Sequence, residues 1–255
     1  MLLPSNPAFV HIRTVLGEVH HWPTLEELGE GCIVSFVEQA TNKSQAFEDD
    51  YEVCIAEQGI VPTRSDTWHD ICNAWTWRLF PKTKKVLNLR YYASMCIHRN
   101  IWTPAMKRTQ EENFCTVCNE NGLLIAYSDA SDRASIENFR WHELFWKRRE
   151  GLQQRMELFF VGHSLLEKSL HPYIGMTGHA ILIQVQDEFW SVPVQKRLAF
   201  IDEEAAKRLK GEEFRTSQDM APFPILGFPG FCFEAEHESF YQNEQYFRSR
   251  RRKAK

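Results

Sequence analysis

The sequence predicts an α+β protein, in which helices alternate irregularly with small antiparallel hairpins, in a single domain over residues 1–247 followed by a basic tail at 248–255. Three observations carry this. Segments with helical spacing recur behind capping residues. Two apolar stretches flank tight-turn dipeptides. Helices and strands also come in mixed order, without the regular β-α alternation that builds a doubly wound parallel sheet.

Taken along the chain, residues 23–30 read as a short helix capped by Thr24, with Leu25 and Leu28 buried and Gly29 as its stop. Residues 31–38 read as a strand, and residues 49–58 as helical up to Gly59. The clearest helix starts near Trp68 behind Ser65, Asp66 and Thr67, and places Ile71, Ala74, Trp75 and Leu79 on one face. Pro81 ends it, and a second short helix runs over 82–89. Residues 114–118 and 123–127 flank Asn121 and Gly122, a type I′ hairpin signal. Residues 137–149 and 155–170 read as helices, the latter halted before Pro172. A second hairpin is expected for 180–186 and 189–194 across Asp187 and Glu188, followed by a helix over 202–210. The stretch 222–230, with three Pro and two Gly, reads as an ordered loop.

Composition narrows the function classes. With 18 Phe, 8 Trp and 7 Tyr the core should rest on aromatic packing, so a single Trp is first a core residue. The net charge of −4 includes six positive charges in the last eight residues, which leaves the body at −10. An acidic body argues against a broad nucleic-acid groove, although the basic tail could touch phosphates. Apolar runs such as 158–161 and 180–183 are far too short to span a membrane. Seven scattered cysteines and no recognisable signal peptide fit reduced thiols in a cytoplasm.

One motif is long and specific. It comprises Gly59, Ile60, Val61, Pro62, Thr63 and Arg64, then Trp68, His69 and Asp70, Asn73 and Ala74, Phe80 and Pro81, Lys84 and Asn88. With Thr116, Glu120 and Gly122, then Gly162, His163, Glu167 and Lys168, and Phe240 and Tyr241, it resembles the bacterial "domain of unknown function 3025" family over nearly the whole chain. That resemblance implies a bacterial, intracellular protein and no settled activity. It also implies acids at positions 113 and 119, where this chain has Asn113 and Asn119. If those acids did chemistry, this member has lost it; if they only bonded backbone, the change is harmless.

The candidate chemistry centres on polar residues of the motif. His69 and Asn73 are four apart at the start of a capped helix, whose N-terminal potential favours bound anions and a neutral imidazole base. Asp70 is either part of that group or a first-turn acid interacting with the helix dipole. His163 and Glu167 share a second helical face and could pass a proton or hold a metal, but two ligands are too few, so no metal and no cofactor are assigned. His69 would complete such a set only if the two helices meet; a separation within roughly 8 Å around a cleft would make a catalytic or metal site the working hypothesis. Lys84, Asn88 and Glu120 are read as substrate-binding, with an unidentified small or anionic ligand as partner. The resulting expectation is a hydrolase or phosphate-directed enzyme, and the alternative is a non-catalytic binding module in which the same residues form a structural hydrogen-bond network.

Two weaker motifs are set aside. Gly162, His163 and Ser164 imitate a nucleophile elbow, but Leu166 replaces its second Gly, and the resemblance implies Ala at 164. Cys115 and Cys118, read on a strand, would point to opposite faces, so buried free thiols are expected rather than a zinc or redox pair.

Overall fold

Local capping fixes the first elements of the computed structural model, which describes residues 4–40, 46–103 and 105–249. Helix α1 (Val10–Leu16) is followed by α2 (Leu25–Gly29), which opens on the expected Thr24 cap. The Thr24 side chain accepts from Glu27 N, and Glu27 returns a bond to Thr24 N. Strand β1 (Ser35–Glu38) pairs with β2 (Ile60–Thr63), and the pairing is parallel. Between them α3 (Tyr51–Val53) widens into a π turn at Cys54–Gln58, which Gly59 ends at φ +68°.

Helix α4 (Trp68–Leu79) begins at the Thr67 cap and buries Ile71, Ala74, Trp75 and Leu79. Pro81 occupies the first turn of α5 (Pro81–Ile97), whose free Lys82 and Thr83 N–H groups donate to the Asp202 carboxylate. That helix continues well past the expected end at Leu89, because nothing between Leu89 and Ile97 breaks it.

Several expected elements are corrected. Residues 114–118 are not a strand; they lie within α6 (Gln110–Asn121), which starts at a capping box between Thr109 and Glu112. Asn121 and Gly122 form a helix-to-strand junction rather than a hairpin turn, and β3 (Gly122–Tyr127) leaves it buried at every position. The helix expected over 137–149 forms only in part. Its start is lost because α7 (Ala130–Glu137) ends where Phe139 takes φ +58°, and residues 141–147 then form a short helical stretch that is π-wound at Glu143–Lys147. The helix expected over 155–170 divides. After α8 (Leu152–Arg155), β4 (Met156–Phe160) precedes α9 (His163–Lys168). The run 158–161 is short and wholly apolar, and has no period by which a buried strand can be told from a buried helix.

Strand β5 (Thr177–Gln184) forms as expected, but the second hairpin does not. Asp187–Ser191 makes a 3-10 turn into α10 (Val194–Lys210), which includes the expected 202–210 helix. The start of the expected 222–230 loop is taken by β6 (Ala221–Pro224). The α+β class therefore stands, with the four-stranded sheet in the order β4-β3-β5-β6. Its β4/β3 and β5/β6 pairs are antiparallel, and its central β3/β5 pair is parallel.

Helix α10 packs on α5 and against the sheet, and α6 lies against β5. The aromatic core expected from composition is present: Trp141, Phe145 and Phe223 stack or meet edge-on, and Tyr241 leans at tilted angles against Phe145 and Phe247. Asp132 is fully buried and is neutralised by Arg148 Nε at 2.8 Å and Arg155 Nε at 2.6 Å. The basic run at 250–255 lies outside the described residues. Among the described residues no helix is long and apolar enough to cross a membrane.

A histidine–carboxylate cleft as candidate functional site

Two glycines bring the site together. A Cβ at Gly122 would lie 2.2 Å from the Cys118 carbonyl oxygen, and one at Gly162 would lie 2.4 Å from Gly122 N. No side chain fits either place, so the backbones touch, and Gly162 N donates to Gly122 O at 2.8 Å. This contact sets the C-terminal turn of α6 against the start of α9. Glu120 and His163, two residues before one glycine and one after the other, become neighbours. Helix α9 also packs against α4, which brings in His69.

The convergence is close. His69 Nε2 and His163 Nε2 are 3.0 Å apart, with the rings nearly perpendicular. His69 Nδ1 lies 2.8 Å from Glu167 Oε2, and His163 Nε2 lies 3.5 Å from Glu120 Oε1. An ionised carboxylate only accepts, so Glu167 places the His69 proton on Nδ1 and leaves Nε2 a bare lone pair. His163 Nε2–H then donates to His69. Its other nitrogen, Nδ1, is buried without a partner. Burial pushes His163 down to about 4 against the opposing Glu120 hydrogen bond, so the ring is neutral near pH 7. At Glu120 burial acts to raise the carboxyl, but the His163 hydrogen bond and the nearby imidazole and Lys84 charges outweigh it and hold it at about 2.

His69, Glu120 and His163 line a cleft of about 300 Å³ together with Arg64, Asp70 and Asn73. Asp70 is turned to the cleft edge, where it takes a bidentate bridge from Arg64 at 2.9 and 3.0 Å and also the Arg64 N–H. Thr67 caps the Asp70 N–H. Burial acts to raise Asp70, but the Arg64 bonds prevail and keep it below the usual carboxylate range. Asp70 therefore braces the loop from β2 into α4.

Beneath the cleft lies a second, closed layer. Asn73 donates to the Tyr51 hydroxyl at 2.8 Å and accepts from Lys84 Nζ at 2.8 Å, while Lys84 also donates to Asn119 Oδ1. Asn88 donates to the Glu52 carboxylate at 2.7 Å and to its carbonyl at 2.9 Å. Lys84 is 2 % exposed, and burial pushes it down to about 7, against the pull of Glu52 and Glu120. Burial likewise pushes Glu52 up to about 7. These groups satisfy one another.

The structure thus divides the residues singled out from sequence. His69, His163, Glu167 and Glu120 meet at the cleft; Asn73 bridges the two layers; Asp70 sits at the rim; Lys84 and Asn88 lie below the surface that a ligand would touch. Sequence reasoning placed Glu120 on a strand and apart from the histidines, whereas α6 delivers it to His163. It missed Tyr51 and Glu52 as partners of the motif polar groups. Asn119 did carry a signal, since the resemblance implies an acid where it stands, opposite Lys84. Cys115 and Cys118 are buried thiols as expected, although both lie on α6 rather than on a strand, and burial pushes Cys118 up to about 12. Gly162 does form a strand–turn–helix, yet the side chain it delivers to the cleft is His163 rather than Ser164.

Chemically, the arrangement offers an oriented imidazole whose unprotonated Nε2 accepts from His163 at the cleft, and an ionised carboxylate beside it. One ring nitrogen of each histidine and one Glu120 oxygen lie within 4.8 Å of one another, a donor set suited to a divalent cation. A family model described as "Protein of unknown function (DUF3025)" matches residues 34–251. No curated protein and no solved structure matches the chain.

Proposed function

We propose, for a chain that belongs to the DUF3025 family and inherits no assigned activity from it, that it is a hydrolytic enzyme acting on a small substrate with an anionic group. The observation that supports this reading is the Glu167–His69 pair at an open cleft, 2.8 Å apart, with the unprotonated His69 Nε2 as the basic atom once a water takes the place of the His163 N–H. A carboxylate behind an imidazole fixes its tautomer and stabilises the imidazolium that forms as it takes a proton. His69 then serves as general base toward a water in the cleft, and Glu167 positions it. Arg108 on the cleft lining offers positive charge to a phosphate or carboxylate, while Arg64 is held by Asp70. The Tyr51–Asn73–Lys84–Asn119 layer serves as a rigid floor. All seven cysteines are unpaired, which supports placement in a reducing, bacterial cytoplasm.

One observation favours the alternative of a non-catalytic module: the motif residues Asn73, Lys84 and Asn88 are buried and hydrogen-bonded within the protein. The two readings diverge on His69→Ala. Hydrolysis of p-nitrophenyl phosphate, bis-p-nitrophenyl phosphate and p-nitrophenyl acetate is followed in parallel with thermal melting. The enzyme reading expects turnover to drop at least ~100-fold, the usual scale for a general base, with the melting temperature little changed. No turnover of any probe by the parent, or equal turnover by the variant, ends it. A marked fall in melting temperature without parent activity favours the module.

A further inference from the structure

We infer that His69 Nε2, His163 Nε2 and a Glu120 carboxylate oxygen form a binding site for one divalent transition metal of the zinc type, with Glu167 as the positioning residue behind His69. The inference shares its cleft with the hydrolytic reading and rests on the same convergence of side chains, but a metal on His69 Nε2 occupies the lone pair that reading uses as base, so with metal bound the base role passes to another group; it concerns binding and can be tested without turnover.

Distance is the first ground. Donors at the usual ~2.0–2.1 Å from a tetrahedral zinc stand about 3.3 Å apart. The two imidazole nitrogens here are 3.0 Å apart, and His163 Nε2 is 3.5 Å from Glu120 Oε1. All three donors lie within 4.8 Å of one another, so side-chain rotation that closes the His69–Glu120 edge would bring them round a zinc-sized ion.

The second ground is the partner behind the ligand. A metal-bound histidine usually gives its other N–H to a carboxylate or carbonyl, which fixes the tautomer and strengthens the donor nitrogen. Glu167 does this for His69 at 2.8 Å. The third is His163 itself. It is 4 % exposed, its Nδ1 has no partner, and its Nε2 points at the cleft. The ring is thus held through Nε2 and by packing, and a metal on Nε2 would move its proton to the unpartnered Nδ1. Two neutral imidazoles and one carboxylate select zinc, cobalt or nickel over magnesium or calcium, which prefer oxygen ligands. The cleft leaves a fourth position open to water, as catalytic rather than structural zinc sites do.

The test begins with chelator-treated, dialysed full-length protein titrated with Zn²⁺ against a chromophoric competitor, and with Co²⁺ by visible absorption. The expected result is one equivalent bound, with a cobalt spectrum of low coordination number. Binding should weaken at least ~100-fold in His69→Ala and in Glu120→Gln, and ~10–100-fold in Glu167→Gln. Because His163 is buried, His163→Ala is interpreted only if its circular dichroism matches the parent; the three other variants carry the test on their own. Absence of stoichiometric binding, or equal affinity in His69→Ala and Glu120→Gln, overturns the site. Undiminished hydrolysis by protein that binds no zinc also overturns it and spares the hydrolytic reading. One tight equivalent in a protein that hydrolyses no probe supports the site and sinks that reading.

Discussion

Replacing Lys84 with Met should change the shape of the stability–pH curve, and the structure sets the size of the change. Lys84 is wholly buried beside two amide oxygens, with no carboxylate in contact, and burial pushes it down to about 7 from an ordinary 10.5. Between those values the unfolded chain holds a proton that the folded chain has released, so raising the pH favours the fold. The contribution is complete only above 10.5 and is lost as the pH falls through 7. Between pH 7 and pH 9 the gain amounts to about 2 kcal/mol at 1.36 kcal/mol per unit. Glu52 acts in the opposite direction and in a lower window. Burial raises it to about 7 from 4.5, so its stabilising share is present below 4.5 and fades as the pH rises through 7. The pair together produces a trough near neutrality. Urea unfolding of parent and Lys84→Met at pH 7, 8 and 9 reads the difference directly. Removing the cation raises Glu52 further, which tilts the variant curve downward and enlarges the gap. Parallel curves for the two proteins across that range would refute the buried, uncompensated lysine.

Two structural predictions accompany this one. Gly162→Ala puts a Cβ 2.4 Å from Gly122 N, against backbone that cannot swing aside; denaturant unfolding should show a loss on the order of 3 kcal/mol or more, and a loss under 1 kcal/mol would mean that the contact yields. Asp132→Ala removes a buried carboxylate from two guanidiniums, and because Arg148 keeps Asp129 and Arg155 keeps its carbonyl partners a cost of about 1–3 kcal/mol is expected by the same assay, whereas an unchanged midpoint would show that the remaining partners and solvent replace Asp132 fully.

Much of the candidate site was legible in sequence because it depends on local rules. The Thr67 cap, the 69/73 and 163/167 spacings and the helical nature of both segments follow from short-range chemistry, and all are present. The fold class was legible for the same reason. What failed needed tertiary information. Residues 114–118 alternate as a strand would, yet Thr109 and Glu112 cap a helix that runs through them. The buried run 156–160 has no period to read, and Asn121 with Gly122 is equally suited to a hairpin and to a helix exit. That misreading hid the placement of Glu120, since only a helix ending at Gly122 turns it toward His163. The partnership of Lys84 with Asn119 could not be seen either, because it joins α5 to α6 across 35 positions.

The touching backbones at Gly122 and Gly162 also bear on the order of events during synthesis. His69 and Glu120 emerge from the ribosome before His163, and the contact that seats the last of them continues the β3/β4 pairing. A chain released only through α6 holds two of the three groups and nothing to fix them. Any ligand of the cleft is therefore read by finished molecules alone and acts as a late lock on the fold. At a free concentration 100 times its dissociation constant, such a lock adds about 2.7 kcal/mol.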